Sequence, residues 1–333
     1  MIVVTGANGF IAANLLAELQ PRGAADLLAV DEFPAIRGNL ASSAPPDNAR
    51  FHFPAVSLYL DKGDLAPWLD ANIQSVTAIF HLGACSDTTE PDRAYLIENN
   101  FQYTRTLWNW CTQNARPFIY ASSAATYGDG ALGYDDQADP TQYQPLNFYG
   151  ESKHLFDLWA LSQTQTPPRW AGLKYFNVYG PHEEHKNRMA SVAYHAFHQI
   201  RQTASVSLFQ SHKPGFPHGG QKRDFVFVND AVDATLFFLD TPPSSQAPNG
   251  LYNIGTGEAR TFEDLARAVF TAMNLAPNIQ YIPMPEDLRE KYQYFTQATV
   301  AKLRHAGFTR PFCSIEQGVA HYVKYLLAAN TGG

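Results

Sequence analysis

The opening turn constrains the fold of this chain more than any other stretch. Ile2-Val3-Val4-Thr5 is a short β-branched run that ends in Gly6-Ala7-Asn8-Gly9, after which apolar side chains return at Ile11, Leu15 and Leu19, the spacing of one helix face. The pattern predicts a strand, a tight turn and a helix. Gly6-x-x-Gly9-x-x-Ala12 puts small residues where a dinucleotide-binding turn needs them. One allows the turn and one lets a pyrophosphate approach the backbone N–H groups of a helix N-terminus. The last permits close helix packing and tolerates alanine.

Glycine-rich turns are common punctuation, so this one takes its meaning from the rest of the chain. Further strands are expected at Leu27–Asp31, 76–81, 118–122 and 173–177, with helical or loop segments between them. Strands that alternate with helices predict an α/β fold, a Rossmann-type doubly wound parallel sheet. Segments 41–50, 164–169 and 241–250 read as surface loops. After about residue 178 the pattern loosens, with strands expected at 225–228 and 251–254 and a helix from Thr261, where Thr261 and Asp264 resemble a capping box. We expect residues 1–178, with returning segments near 225–255, to form the dinucleotide domain. Residues 179–224 and 256–333 then make a smaller, mostly C-terminal α/β lobe for substrate.

Composition removes several function classes. The 333 residues are 45% hydrophobic and 17% charged, the profile of a chain with a large core. A net charge of -7 argues against a nucleic-acid partner, which needs clustered excess Lys and Arg. Cys85, Cys111 and Cys313 are odd in number and widely spaced, so neither a disulfide framework nor a zinc motif is readable. The N-terminus has no basic region before its apolar run, and no apolar segment is long enough to span a bilayer, so we expect a cytoplasmic protein without a membrane partner. His182 and His185 sit three apart after a Gly-Pro break, without the four-residue helical spacing of a metal-binding pair, and no metal is expected there.

Asp31 ends the second expected strand, where a carboxylate can accept hydrogen bonds from an adenosine ribose, which favours NAD. Arg37 and Lys62 are candidate partners for an extra phosphate, so NADP stays open. Tyr149 and Lys153 are four apart in a segment with apolar residues at Leu155, Phe156 and Trp159, and so share a helix face. A tyrosine titrates near 10 in isolation, and a neighbouring ammonium together with an oxidised nicotinamide favours its phenolate, making it a general base for alcohol oxidation. Ser123 falls at the carboxyl end of a strand, where ligand sites form.

These elements resemble the extended short-chain dehydrogenase/reductase superfamily, whose members oxidise and re-reduce nucleotide sugars. The resemblance covers nearly the full chain. It is carried by Thr5-Gly6-x-x-Gly9-Phe10-Ile11, Ser122-Ser123-Ala124-Ala125-Thr126-Tyr127-Gly128, Tyr149 with Lys153, Tyr175-Phe176-Asn177-Val178-Tyr179-Gly180-Pro181 and Arg223-Asp224-Phe225. The superfamily's 4,6-dehydratases carry an Asp-Glu pair where this chain has Ala124-Ala125, which leaves an epimerase or a reductase. Three further stretches resemble the ADP-L-glycero-D-manno-heptose 6-epimerase family. They are His81-Leu82-Gly83-Ala84-Cys85-Ser86 with Thr88-Thr89-Glu90, His185-Lys186 with Met189-Ala190-Ser191-Val192-Ala193, and Tyr292-Gln293-Tyr294-Phe295-Thr296-Gln297-Ala298.

That resemblance implies inversion at C6 of the heptose in an ADP-sugar of lipopolysaccharide core, with tightly held NADP. The family keeps an Asp at the Asp31 position although it uses NADP. By resemblance, Tyr149 handles the proton for one epimer and Lys186 for the other, with Ser123 beside Tyr149 and Lys153 binding the ribose. The implied dinucleotide contacts are Gly6, Gly9, Phe10 and Ile11 in the turn, Asp31, Glu32, Arg37 and Lys62 around the adenosine, and Leu82, Gly83, Ala84, Cys85, Ser86 and Asn99 beyond them. Lys153, Val178 and Lys186 complete that set. Substrate contacts fall on Ser123, Asn177, His195, Phe209, Gln210, Ser211, His212, Arg223 and Tyr292. Arg188, a departure from the family pattern, joins them. The family also implies a homo-oligomer, a pentamer among the assemblies it allows. Alternative readings are a UDP-hexose 4-epimerase, a nucleotide-sugar reductase, or a non-catalytic dinucleotide-binding module.

Overall fold

The computed structural model describes residues 1–22, 26–38, 41–244, 246–289 and 292–329, without the side chains of 287 and 288. Residue 245 of the expected loop, and 290, 291 and 330–333 of the expected C-terminal lobe, lie outside the described residues. In chain order the strands are β1 (Ile2–Thr5), β2 (Leu27–Asp31), β3 (Val56–Asp61), β4 (Ala78–His81), β5 (Phe118–Ser123) and β6 (Trp170–Tyr175). They continue with β7 (Asn177–Tyr179), β8 (Val206–Phe209), β9 (Lys222–Phe227), β10 (Gly250–Ile254), β11 (Ala259–Thr261) and β12 (Ile279–Ile282). Seven of these form one parallel sheet in the order β3-β2-β1-β4-β5-β6-β10. Chain order reverses on either side of β1, so the crossovers diverge between β1 and β4 and open a crevice beyond their carboxyl ends.

The helices begin with α1 (Phe10–Leu19), α2 (Leu65–Ala71), α3 (Arg93–Leu96) and α4 (Tyr103–Gln113). After them come α5 (Phe148–Ser162), α6 (Val192–Thr203), α7 (Val228–Asp240) and α8 (Phe262–Ala272). Because side chains alternate along a strand, neighbours such as Ile79 and Phe80 enter different cores. Phe80 packs with Leu15, Leu16 and Phe238 on one face, and Ile79 with Leu107, Trp108 and Phe156 on the other. Both faces are therefore dry, as expected of a parallel sheet. No described helix is long and apolar enough to cross a membrane.

A buried ion pair fixes α5 to the sheet. Asp157, on the same helix face as Tyr149 and Lys153, accepts bonds from Tyr120 Oη at 2.8 Å, Ser122 Oγ at 2.7 Å and Lys174 Nζ at 2.6 Å. Both charged groups are essentially inaccessible to water. Such a pair adds little net stability, but removing one partner strands the other charge at a cost of about 3–5 kcal/mol, so the geometry is strongly determined.

The expected strand 173–177 breaks at Phe176. Val178 N donates to Phe176 O at 2.9 Å, a tight turn that ends β6 at Tyr175 and sends β7 into a second sheet beside β9. The strand expected at 225–228 begins earlier, at Lys222, and Val228 already opens α7. Thr261 caps α8 in a full capping box with Asp264, as the sequence predicts. β10 returns to the edge of the large sheet, whereas β9 pairs with β7 and β11 in the smaller one.

Candidate active site

The crevice between β1 and β4 is a cleft of about 500 Å³. Its floor is the opening turn. Gly6 has φ +74°, and a Cβ there would lie 2.6 Å from Gly83 N in the loop after β4, so no side chain fits between the two segments. Gly9 precedes α1 without a side-chain cap, which leaves the first backbone N–H groups of the helix free for an anion. Asp31 lines the cleft at the end of β2. Burial pushes its carboxyl up, while hydrogen bonds from Glu32 N at 2.7 Å and Asn8 N at 2.8 Å pull it down. A bare helix terminus, a turn without side chains and a carboxylate at the tip of β2 fit a dinucleotide.

Most of the expected dinucleotide contacts line this cleft: Gly6, Gly9, Phe10 and Ile11, Asp31, Glu32 and Lys62, Leu82 through Ser86, Asn99 and Lys186. Val178, Lys153 and Arg37 do not. The Arg37 guanidinium is held by buried Asp61, with Nε 2.8 Å from Oδ1. Arg50 lines the cleft where Arg37 was expected, and its Nη1 donates to Asn8 O in the opening turn at 3.0 Å. Lys62 donates to Glu32 Oε1 at 2.6 Å and Asn99 Oδ1 at 3.0 Å. Sequence reasoning missed Arg50 because its loop has no periodicity. Asn8 brings it in, donating to Asn48 O at 3.1 Å and accepting from Arg50 N at 2.9 Å. Asp87, Tyr95 and Tyr103 also line the cleft without a sequence signal that marks them, and so do His185 and Met189 from the stretch that carries the family resemblance.

Asn147 caps α5 by accepting from Gly150 N at 2.8 Å, which places Tyr149 in the first turn and Lys153 one turn later. A Cβ at Gly150 would sit 2.9 Å from Ala125 O, so a residue without a side chain lets the helix approach the turn that follows β5. Burial pushes the Lys153 ammonium down to about 8. Its Nζ donates at 2.9 Å to the carbonyl of Ala121, a residue of the cleft wall. Burial raises the Tyr149 phenol, and a hydrogen bond with Ser123 pulls it back. Ser123, and not the expected Lys153, is the group that lowers it, so the phenolate depends on Ser123 and on whatever positive charge the cleft receives.

A buried relay connects these parts. Thr104 donates to Asn100 O at 2.7 Å, so its oxygen accepts from His81 Nε2 at 2.9 Å. His81 Nδ1 is then an acceptor for Thr5 Oγ1 at 2.7 Å, and that oxygen takes Gly83 N at 3.1 Å. Burial holds His81 down to about 3, so it stays neutral and the bond directions are fixed. Asn100 continues the relay by pairing with the Cys85 backbone and donating to Ser152 Oγ at 3.0 Å, which donates to Tyr149 O at 2.7 Å.

Lys186 projects from a short 3-10 segment, Glu184–Met189, with Nζ 5.1 Å from the Phe10 ring centre. Burial lowers its pKa and Glu183 opposes the shift. Glu183 itself is fully buried, accepting from Ser191 N at 2.7 Å, Ser191 Oγ at 2.6 Å and Gly180 N at 3.3 Å. His182 and His185 pack edge-on against Phe51.

The expected substrate residues assemble in part. Arg223 is buried with its guanidinium 5.2 Å from the Tyr292 ring and 5.5 Å from Phe262, and its one hydrogen bond among the described residues is to Lys222 O. Tyr292 meets Phe209 at 6.4 Å, and His212 N donates to Tyr294 Oη at 3.1 Å. Gln210 N is taken by Ile282 O and Ser211 N by His218 Nδ1. Asn177 is exposed at the start of β7, and half-buried His195 lies on α6 against Tyr194. Arg188 instead binds Asp87 and Thr89.

A switch-point cleft flanked by a tyrosine and a lysine on one helix face defines a dinucleotide-dependent enzyme of the doubly wound class, and this chain belongs to the NAD dependent epimerase/dehydratase family, whose profile matches residues 2–255. Its curated relatives are more particular. The chain is 45% identical over 339 residues to the ADP-L-glycero-D-manno-heptose-6-epimerase of Fusobacterium nucleatum, covering 98% of each. It is 46% identical over 333 residues to that of Nitratidesulfovibrio vulgaris, covering 99% of this chain and 98% of the relative. Among solved structures, the Helicobacter pylori ADP-L-glycero-D-manno-heptose-6-epimerase superposes with a TM-score of 0.74 at 26% identity, covering 98% and 96% of the two chains. The protein is an enzyme of the epimerase class that works with a nicotinamide dinucleotide.

Proposed function

We propose that this enzyme interconverts ADP-D-glycero-D-manno-heptose and ADP-L-glycero-D-manno-heptose by inverting C6. The observation that carries the reading is a second proton-handling side chain, Lys186, which lines the cleft, while the Tyr149 and Lys153 pair stands behind the wall at Ala121. The names of the full-length relatives support the sugar and the carbon. A nicotinamide held beside the opening turn would supply the hydride acceptor and donor for oxidation and re-reduction at C6. Tyr149 accepts or supplies the hydroxyl proton on one face of the C6 carbonyl, held by Ser123 and the α5 cap. Lys186, lowered by burial toward a usable range, does so on the other. Lys153 binds the nicotinamide ribose and adds positive charge. Arg223, buried with Lys222 O as the one hydrogen-bond partner of its guanidinium among the described residues, suits the ADP diphosphate, while Tyr292 and Phe209 offer aromatic walls. We assign dinucleotide to 1–178 with the segments returning near 225–255, and sugar to 179–224 and 256–333.

The cofactor is NADP, and Arg50 and Lys62 are the cations for its extra phosphate in place of Arg37. Arg50→Ala is expected to weaken NADP binding about tenfold and to leave NAD binding within about twofold, measured by titration. Equal loss for both would remove Arg50 from the phosphate. The family resemblance is the ground for proposing a homo-oligomer, and cytoplasmic residence is a further proposal. The reading as a whole is tested by incubating purified protein with one ADP-heptose epimer, no cofactor added, and following C6 by NMR. Conversion is expected. Failure there with turnover of UDP-galactose would make it a 4-epimerase, and a requirement for stoichiometric NADPH would make it a reductase.

A further inference from the structure

We propose that Arg188 is a positioning residue that fastens the Lys186 segment across the dinucleotide cleft, as a strap that must let go before the cofactor leaves. The inference rests on reading the cleft as a dinucleotide site. Residues 184–190 are pinned at their base by one carboxylate, because Glu183 binds Gly180 on the incoming side and Ser191 on the outgoing side. At the tip, Arg188 Nη2 donates to Asp87 Oδ2 at 2.9 Å and to Thr89 Oγ1 at 2.8 Å. Thr89 Oγ1 in turn donates to Asp87 Oδ1 at 2.6 Å, closing a ring of three groups. Hydrogen bonds from Thr89, then Arg188, hold the Asp87 carboxyl below its ordinary range, so the ring stays charged.

The two sides of the ring belong to different walls. Asp87 lines the cleft from the loop after β4, and Lys186 and Met189 line it from the strap. Between them Asn187 adopts φ +47° and ψ -122°, a conformation a residue with a Cβ rarely takes. It points Lys186 toward Phe10 while Arg188 reaches Asp87. Such conformations persist where surrounding contacts determine them, and the pinned base and the Arg188 ring do so here. Both charged groups are partly open to water, which limits the effect to the size an exposed pair supports.

The test is release of labelled NADP from the loaded protein into excess unlabelled NADP. Arg188→Ala is expected to speed release by about two- to fivefold, the range of an exposed ion pair. Asp87→Asn is expected to act in the same direction, and the double variant to release no faster than the faster single one. Added salt is expected to speed release more from the parent than from Arg188→Ala, whose remaining salt dependence comes from the cations on the cofactor's phosphates. Arg267→Ala, which breaks the exposed pair with Glu263 on α8, serves as a control at the parent rate. Parental release from Arg188→Ala, additive singles, a raised KM for the sugar with unchanged release, or failure to hold NADP at all each overturn the strap. A protein that holds NADP but ignores ADP-heptose overturns the proposed function and leaves the strap readable.

Discussion

Lys186→Met is expected to slow epimerisation by about 10²–10⁴-fold, the usual worth of a positioned acid/base group. Methionine keeps an unbranched apolar stem of similar length that can still pack on Phe10, so the change removes the amine together with its cation–π contact to that ring. The structural role of the segment falls to Glu183 and Arg188, which the variant retains. It should therefore fold, hold cofactor and fail in turnover, because one face of the transient carbonyl has lost its proton partner. A folded, loaded variant with undiminished interconversion would show that Lys186 only packs.

Removing the phenol of Tyr149 should have an effect of the same order. Tyr149→Phe deletes one oxygen from a half-buried side chain and leaves the Asn147 cap, the Ser152 bond to the Tyr149 carbonyl and the Asp157 anchor in place. Stability is expected to change by less than about 1.5 kcal/mol by denaturant unfolding, since a single hydrogen bond is lost. Turnover should fall about 10²–10⁴-fold in both directions. Loss of folding cooperativity in step with activity would instead make Tyr149 structural. Near-parental turnover would assign its proton step to another group.

How legible a feature is in the sequence depends on the distance over which its signal acts. The glycine turn, the Tyr149 and Lys153 spacing and the Thr261 capping box are local devices, and each appears in the structure as its spacing predicts. Strand ends set by neighbours are harder to read. The turn at Phe176 depends on pairing of β7 with β9, far along the chain, and Val3 or Leu28 carry no mark of which core they enter. Arg37 and Arg50 show the same limit within the site. Both are arginines in an aperiodic stretch after β2, and Asp61 and Asn8 decide which one turns away and which one faces the cleft. Glu183 has the sequence setting of a charged, solvated loop, yet three hydrogen bonds bury it as the base of the Lys186 segment.

The central claim is that the C6 hydrogen leaves with its electron pair and comes back to the other face while only hydroxyl protons pass through Tyr149 and Lys186. Epimerisation in heavy water, followed to equilibrium by NMR, tests it most directly. The account predicts an inverted product whose C6 keeps its original hydrogen, because protons on a phenol or an amine exchange with solvent and the transferred hydrogen does not. Deuterium at C6 would contradict it, showing that the carbon is deprotonated and reprotonated by side chains.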